Sequence, residues 1–260
     1  MTSYGRVRLI TEDDKHYRAY VEGFKLQRKN QKALRPPRQR DLFGAEAEAA
    51  LRQWLAERIE LDDRRIIEYE ERRNKRGIIK YRELDALTIE GREARVFEIK
   101  ASRSAGALRR AAAQLHETRQ ILSQVYPRVV ITILLVDTGI PATVDEVEAL
   151  MASDHPPPRR PELLSEVLEA VPSLRLVDSL DAQLEPGAIG VLRFGVESII
   201  AIAGAENLHL DWEDDDEEPE EPAETRPAAS LYASSAADEP PDADDNPLAA
   251  ALRRAGLSQE

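Results

Sequence analysis

The most restrictive feature of this sequence is Val129–Val136 (VVITILLV), a run of eight residues of which seven are apolar. A strand with apolar residues at both odd and even positions is suited to burial on both faces, so the run predicts a central strand of a covered sheet. It is too short to cross a bilayer, which needs about 20 residues. We therefore expect an α/β protein whose sheet lies between helices and which has no membrane partner.

The chain has 260 residues and no cysteine. This length is enough to bury a core without disulfide bonds, and the lack of cysteine excludes a zinc site built on sulfur. The first residues contain no apolar stretch of the kind found in secretory signals. We expect a cytoplasmic protein, in which any metal ligands are oxygen atoms or histidines.

Hydrophobic spacing predicts further elements around the central strand. Apolar residues recur at helical spacing in Gly44–Ile59, for example at Leu51 and Leu55. Ile78–Glu90 is predicted as one strand that is bent or bulged, and a turn at Gly91 leads into the next strand. The predicted order is helix, three strands, helix, strand. These elements are expected over residues 44–59, 66–69, 78–90, 94–100, 104–125 and 129–136.

The regions outside this core differ in composition, and they divide the chain into four parts. The parts are an N-terminal segment with a basic arm, a core, an α/β extension of the same domain, and an acidic tail. Their bounds are 1–40, 41–138, 139–210 and 211–260. In the extension, helices are expected over 144–152 and 162–171, strands over 174–177 and 190–194, and either structure over 199–203.

Net charge separates the tail from the rest of the chain. The whole sequence carries −13, and residues 211–260, with 16 acidic and three basic side chains, account for all of it. The tail is also rich in Pro, Ala and Ser, so we expect it to be disordered. Asn246 and Pro247 can begin a short C-terminal helix, which is either a frayed end or a peptide that docks a protein partner. The tail itself is either a solubilising segment or a competitor for basic surfaces.

Residues 1–210 are neutral overall, with 33 acidic and 33 basic side chains, and can therefore carry basic faces. The densest basic stretch is 25–40, where seven of sixteen residues are Lys or Arg and none is acidic. This arm is either a solvated linker or a segment that contacts phosphates.

Three charged residues of the predicted strands are candidates for a site. Glu98 and Lys100 alternate with Phe97 and Ile99, so they share one face of their strand. Asp85 lies in the preceding strand, across a short turn, and can reach the same place. Two converging carboxylates repel each other unless a cation lies between them, and oxygen ligands suit Mg²⁺ or Mn²⁺. The alternative is a surface hairpin with a Glu–Lys pair that has no catalytic role.

Glu83–Leu87 (ELDAL) and Val96–Ser102 (VFEIKAS) together resemble the signature of the PD-(D/E)XK nuclease superfamily. That superfamily includes restriction endonucleases, Holliday-junction resolvases and RecB-type exonucleases. Leu84 stands where the signature has its proline, a departure that many members share. The resemblance covers about residues 41–137. It implies a restriction endonuclease-like αβββαβ core, with a mixed sheet flanked by helices.

The resemblance also implies roles for residues of this chain. Asp85, Glu98 and the carbonyl of Ile99 would bind Mg²⁺ or Mn²⁺, and Lys100 would be catalytic. Resolvase-like members carry a further metal-reaching glutamate shortly after a glycine in the first helix.

Two helices therefore add candidates to the site. Gly44 is followed by both Glu46 and Glu48, and the spacing leaves the choice between the two glutamates open. RecB-type members have a glutamine in the helix after the lysine, and Gln114 fits that position. Thr118 replaces the aromatic residue that those members carry one turn later.

Basic residues in the core are candidates for binding the DNA backbone. They lie in the turn between the first two strands and at the start of the second helix: Arg72, Arg73, Lys75, Arg76, Arg109 and Arg110. The cluster in the turn has the alternative of being merely solvated. The resemblance thus implies a Mg²⁺-dependent deoxyribonuclease, which, like many members, could be a homodimer. The competing hypothesis is a non-catalytic nucleic-acid-binding or regulatory protein of the same fold that recruits a partner through its tail.

Overall fold

The computed structural model describes residues 3–27, 39–73, 76–154 and 156–210, so the central part of the basic arm and the whole acidic tail lie outside the described residues. The described part forms strands and helices that pack as two sheets with helices on their faces. In chain order the elements are β1 (Ser3–Ile10), α1 (Lys15–Gln27), α2 (Gln39–Ala56), β2 (Ile66–Arg73), β3 (Arg76–Glu83), β4 (Ala86–Glu90), β5 (Glu93–Ser102), α3 (Ala107–Leu122), β6 (Arg128–Asp137), α4 (Val144–Met151), α5 (Leu164–Ala170), β7 (Leu174–Val177), β8 (Ile189–Gly195) and α6 (Val196–Ala203).

The larger sheet has five strands in the order β4-β5-β6-β8-β7. Strands β5, β6, β8 and β7 are parallel, and β4 is antiparallel to β5, so the sheet is mixed. Strand β6 lies in the middle, which confirms the prediction made from Val129–Val136. The α/β class and the mixed sheet flanked by helices are confirmed with it.

Alternating side chains of β6 explain why both faces are covered. Ile131, Ile133 and Leu135 pack with residues of α3 and α5, whereas Leu134 and Val136 pack with residues of α2 and α6. All five are fully buried. A strand that must fill two apolar layers has no position for a charged residue, and this is the physical origin of the apolar run.

The smaller sheet is antiparallel, with the order β1-β2-β3. Helix α1 covers one face, where Tyr17 and Tyr20 pack on Tyr81 with ring centroids 5.5 and 4.8 Å apart. Helix α3 lies against the other face, where the Tyr4 hydroxyl donates to Glu117 Oε1 at 2.9 Å. Neither β1 nor α1 was predicted from the sequence.

One prediction is wrong in a way that matters for the site. The single strand expected over residues 78–90 is two strands, because the chain leaves the smaller sheet at Glu83 and enters the larger sheet at Ala86. Leu84 is buried at this joint, and its N–H donates to the Arg65 carbonyl at 2.8 Å. Four strands therefore separate α2 from α3, where the sequence predicted three.

Residues 139–210 join the same larger sheet. Strand β8 pairs with β6, and β7 pairs with β8 at the sheet edge. The segment that could be either helix or strand is the helix α6. Among the described residues, no helix combines the length and the apolar character that a membrane crossing requires.

Candidate active site

Asp85 lies at the joint between the two sheets, and only 7% of it is exposed. Its Oδ2 accepts a hydrogen bond from the backbone N–H of Ile99 at 2.6 Å. Since Ile99 lies between Glu98 and Lys100 in β5, this bond holds the Asp85 carboxylate beside both of them. The change from the smaller to the larger sheet at Leu84 therefore turns Asp85 towards β5.

Glu98 and Lys100 follow one another on the same face of β5. The Lys100 Nζ lies 2.6 Å from Glu98 Oε1, and the two side chains are 11% and 12% exposed. The intervening residues Phe97 and Ile99 belong to the apolar layer beneath α2. Strand β4 begins only opposite Phe97, so Glu98 and Lys100 extend past its end, next to Asp85.

Burial and like charges raise the pKa of Asp85 well above its usual value of 3.8. Desolvation is the largest cause, followed by the negative charges of Glu98 and Glu48, while Lys100 and the Ile99 N–H oppose the shift. Three carboxylates that repel one another and are partly desolvated favour the binding of a cation or a proton.

Helix α2 brings Glu48, rather than Glu46, to this cluster. Burial raises the pKa of Glu48, and the charges of Glu83 and Glu98 act in the same direction, against Lys100 and Arg65. Glu46 faces elsewhere: its Oε2 accepts the backbone N–H of His209 at 2.6 Å, and its Oε1 contacts His209 Nδ1. The structure therefore separates the two glutamates that sequence spacing left as alternatives.

The donor set of the cluster is oxygen only, which is the chemistry that Mg²⁺ and Mn²⁺ prefer. In the described residues, however, no three His, Cys, Asp or Glu side chains are grouped closely enough to hold a metal ion as they stand. The Glu98 carboxylate is instead directed at Lys100. The residues fit a divalent cation by type and by mutual repulsion, and Glu98 would have to turn from Lys100 to bind one.

The glutamine candidate lies on α3. The backbone carbonyl of Gln114 accepts Arg82 Nη1 at 2.9 Å, which fixes this part of α3 against β3. Within the described residues the Gln114 side chain has no hydrogen bond to Asp85, Glu98 or Lys100. Arg110 lies four residues before Gln114, on the same side of α3.

The basic candidates fall into two separate places. Arg72 lies near the tip of the β2–β3 hairpin and is paired with Glu70 at 2.8 Å. The tip is seven residue steps from the Ile66–Glu83 pair at the base, roughly 24 Å at the usual strand rise. Lys75 and the side chains of Arg73 and Arg76 lie outside the described part of the structure.

The second pair of basic candidates is at the start of α3. Arg109 forms an ion pair with Glu162 at 2.6 Å. Arg110 is exposed and has no ion pair with any described residue. Only one of these two arginines is thus available to an external phosphate as the structure stands.

Sequence reasoning placed Glu83 in the motif but gave no role to it, and it missed Arg65 altogether. Arg65 Nη1 lies 2.6 Å from Glu83 Oε1 and also donates to the Leu84 carbonyl at 3.2 Å, so it ties down the joint that carries Asp85. Arg65 is also paired with Glu12, before α1. No periodic pattern distinguishes Arg65 from the neighbouring charged residues, so the sequence offered no signal for this role.

No protein-family model matches the chain, and no curated protein is similar enough to it to indicate a relationship. Any function assigned to the cluster therefore rests on its residues and their geometry.

Proposed function

We propose that this protein is a metal-dependent nuclease that hydrolyses DNA phosphodiester bonds, with a site related to that of the PD-(D/E)XK superfamily. The observation that supports this most is the convergence of Asp85, Glu98, Lys100 and Glu48. They come from three elements and meet beside the joint between the sheets. A buried group of acids with a single lysine is costly for stability, so it is more readily explained by chemistry than by packing.

The acids of the cluster have a common role in this proposal. Asp85, Glu98, the Ile99 carbonyl and Glu48 are the atoms that would hold Mg²⁺ or Mn²⁺. The ion would supply charge stabilisation at the phosphate and activation of a water. The chain itself fixes Asp85 by the Ile99 N–H, so one ligand is oriented in advance.

Lys100 supplies the positive charge of the site. Its ammonium is held next to Glu98, within reach of the charge that develops on a phosphate during attack. If Glu98 bound a cation, Lys100 would lose this partner and would be free to orient the attacking water. The same lysine offsets part of the repulsion among the acids when no metal is bound.

The test is cleavage by the whole protein of labelled linear duplex, single-stranded, circular and four-way-junction DNA, and of RNA, in Mg²⁺, Mn²⁺ or EDTA. Lys100→Ala is compared with Lys15→Ala, which removes an exposed lysine at the start of α1. We expect metal-dependent cleavage of DNA that falls roughly 100-fold or more in Lys100→Ala and is unchanged in Lys15→Ala.

Three results would contradict the proposal. Cleavage that survives Lys100→Ala would come from another site or a contaminant. Cleavage of RNA alone would make the substrate class wrong. Binding of DNA without cleavage of any substrate would favour the non-catalytic nucleic-acid-binding protein instead.

A further inference from the structure

A surface groove of about 500 Å³ runs along α2 and shares Glu48 with the cluster of acids. Three alanines, Glu48, Arg52 and Gln53 of α2 line it together with Leu61. The groove therefore passes the candidate site at Glu48 and follows the helix from Ala45 to Ala56. Its alanine side chains leave room for a ligand to approach the helix closely.

Arg52 is the basic residue among those that line the groove, and it is partly buried there. It has no ion pair or hydrogen bond with any other described residue through its side chain. This is unexpected from local sequence, since a glutamate four residues before an arginine on a helix usually pairs with it. Here Glu48 is turned into the cluster, where it interacts with Lys100 and Arg65.

A guanidinium without a partner among the described residues, in a groove that passes a group of acids, suits a ligand with several phosphates. The acids repel a phosphate in the absence of a cation, so an anionic substrate needs positive charge close beside them. Glu48 and Arg52 are four residues apart on α2, a rise of about 6 Å. That is comparable with the step from one phosphate to the next along a nucleic acid strand.

We propose that the groove is the path of the DNA strand leaving the site, and that Arg52 binds the phosphate next to the one that is cleaved. This inference rests on the proposed nuclease function and adds a substrate-binding residue to it. Arg52 touches the strand away from the reacting bond, so it contributes to binding the substrate more than to the chemical step. Its planar guanidinium can bind two phosphate oxygens at once.

The experiment compares Arg52→Gln and Arg52→Lys with Arg92→Gln. Arg92 is an exposed arginine at the β4–β5 turn, at the opposite end of β5 from Lys100. Binding of a fluorescent DNA oligonucleotide is measured by anisotropy at several salt concentrations, both in EDTA and, in the cleavage-deficient Lys100→Ala background, in Mg²⁺. Cleavage kinetics in Mg²⁺ are measured on the same variants, and unfolding midpoints check that each variant is folded.

We expect Arg52→Gln to weaken DNA binding about tenfold and to reduce the salt dependence by close to one phosphate contact, a slope change of about 0.7 to 0.9. KM should rise by a similar factor with kcat nearly unchanged. Arg52→Lys should keep the salt slope but lose part of the affinity, because lysine binds a phosphate as a point charge. Arg92→Gln should resemble the wild type.

The outcomes separate this inference from the nuclease proposal. Lys100-dependent cleavage with equal binding by Arg52→Gln and Arg92→Gln would overturn the role of Arg52 and leave the nuclease standing. Arg52-dependent binding without any cleavage would support the groove and overturn the nuclease. No binding of DNA either by the wild type in EDTA or by Lys100→Ala in Mg²⁺ would overturn the groove as a DNA path.

Discussion

Asp85 is a buried carboxyl group whose surroundings disfavour its charged form. It is buried beside two other acids, and its own partners are one backbone N–H and the nearby charge of Lys100. Protein interiors rarely keep such a carboxylate unless a bound ligand or a reaction requires it. The loss of stability caused by Asp85 is expected in the metal-free protein, where unfolding experiments can measure it.

Asp85→Asn should therefore stabilise the metal-free protein while it abolishes cleavage. An asparagine oxygen can still accept the Ile99 N–H, but the side chain no longer repels Glu98 and Glu48. Activity and stability would change in opposite directions, as expected at functional sites. Asp63→Asn, at an exposed aspartate outside the cluster, is the matched control.

The stability gained by Asp85→Asn should increase as the pH rises. The pKa of Asp85 is higher in the folded chain than its usual 3.8, so between the two values the folded state binds more protons than the unfolded state. The free energy of unfolding of the wild type therefore falls as the pH rises through that window. Asparagine does not titrate, so position 85 causes no such fall in Asp85→Asn. Urea unfolding in EDTA should show a larger difference in the free energy of unfolding between Asp85→Asn and the wild type at pH 8 than at pH 5. An equal or smaller difference at pH 8 would contradict the assignment.

Helix α2 decides which of two similar glutamates takes part in the site. Phe43, Ala47, Leu51 and Leu55 form its buried stripe and fix its rotation about its own axis. Residues two apart on a helix point about 200° apart. The same packing that buries Leu51 therefore sends Glu48 to the cluster and Glu46 to His209.

Glu48→Gln should lower cleavage roughly 10- to 100-fold, whereas Glu46→Gln should change it less than about threefold. Glu46→Gln should act on stability instead, through its contact with His209 near the end of the described chain. Initial rates in Mg²⁺ and urea unfolding of both variants measure the two effects. Equal losses of activity in both would mean that α2 contributes to the site only through its overall position.

In the whole molecule, the cluster exists because two sheets meet at Leu84 and Asp85. Arg65 ties this joint to Glu83 and to Glu12, and α2 closes it from the side with Glu48. The parts of the cluster are separated in sequence and are held together by the packed core and by these polar contacts. Anything that binds the assembled cluster must therefore stabilise the folded chain.

Mg²⁺ or Mn²⁺ should raise the thermal midpoint of the wild type and not that of Asp85→Asn. At one hundred times the dissociation constant the gain is about 2.7 kcal/mol. For a domain of this size, each kcal/mol corresponds to roughly 2–4 °C. Thermal unfolding with increasing metal measures it, and Glu46→Gln, which keeps the cluster, should respond like the wild type. The same shift in Asp85→Asn would place the metal elsewhere.

Local sequence determined the elements whose burial is uniform or periodic. The run Val129–Val136 specified a central strand because every position faces an apolar layer, and the alternation of Glu98 and Lys100 with Phe97 and Ile99 specified a shared face. Such patterns depend only on which side of an element is buried. The other strands and helices of residues 139–210 were predictable for the same reason, whereas the sequence left helix and strand open for residues 199–203.

Only the tertiary structure decided how these elements meet. Residues 45–49 of α2 alternate alanine and glutamate, so more than one face could be buried, and packing against β5 selected Glu48. The sequence predicted a bend or bulge in residues 78–90 but not the change of sheet at Leu84, because both strands have the same apolar spacing although they belong to different sheets. The lack of a partner for Arg52 among the described residues likewise depends on contacts across the fold, which a linear pattern does not encode.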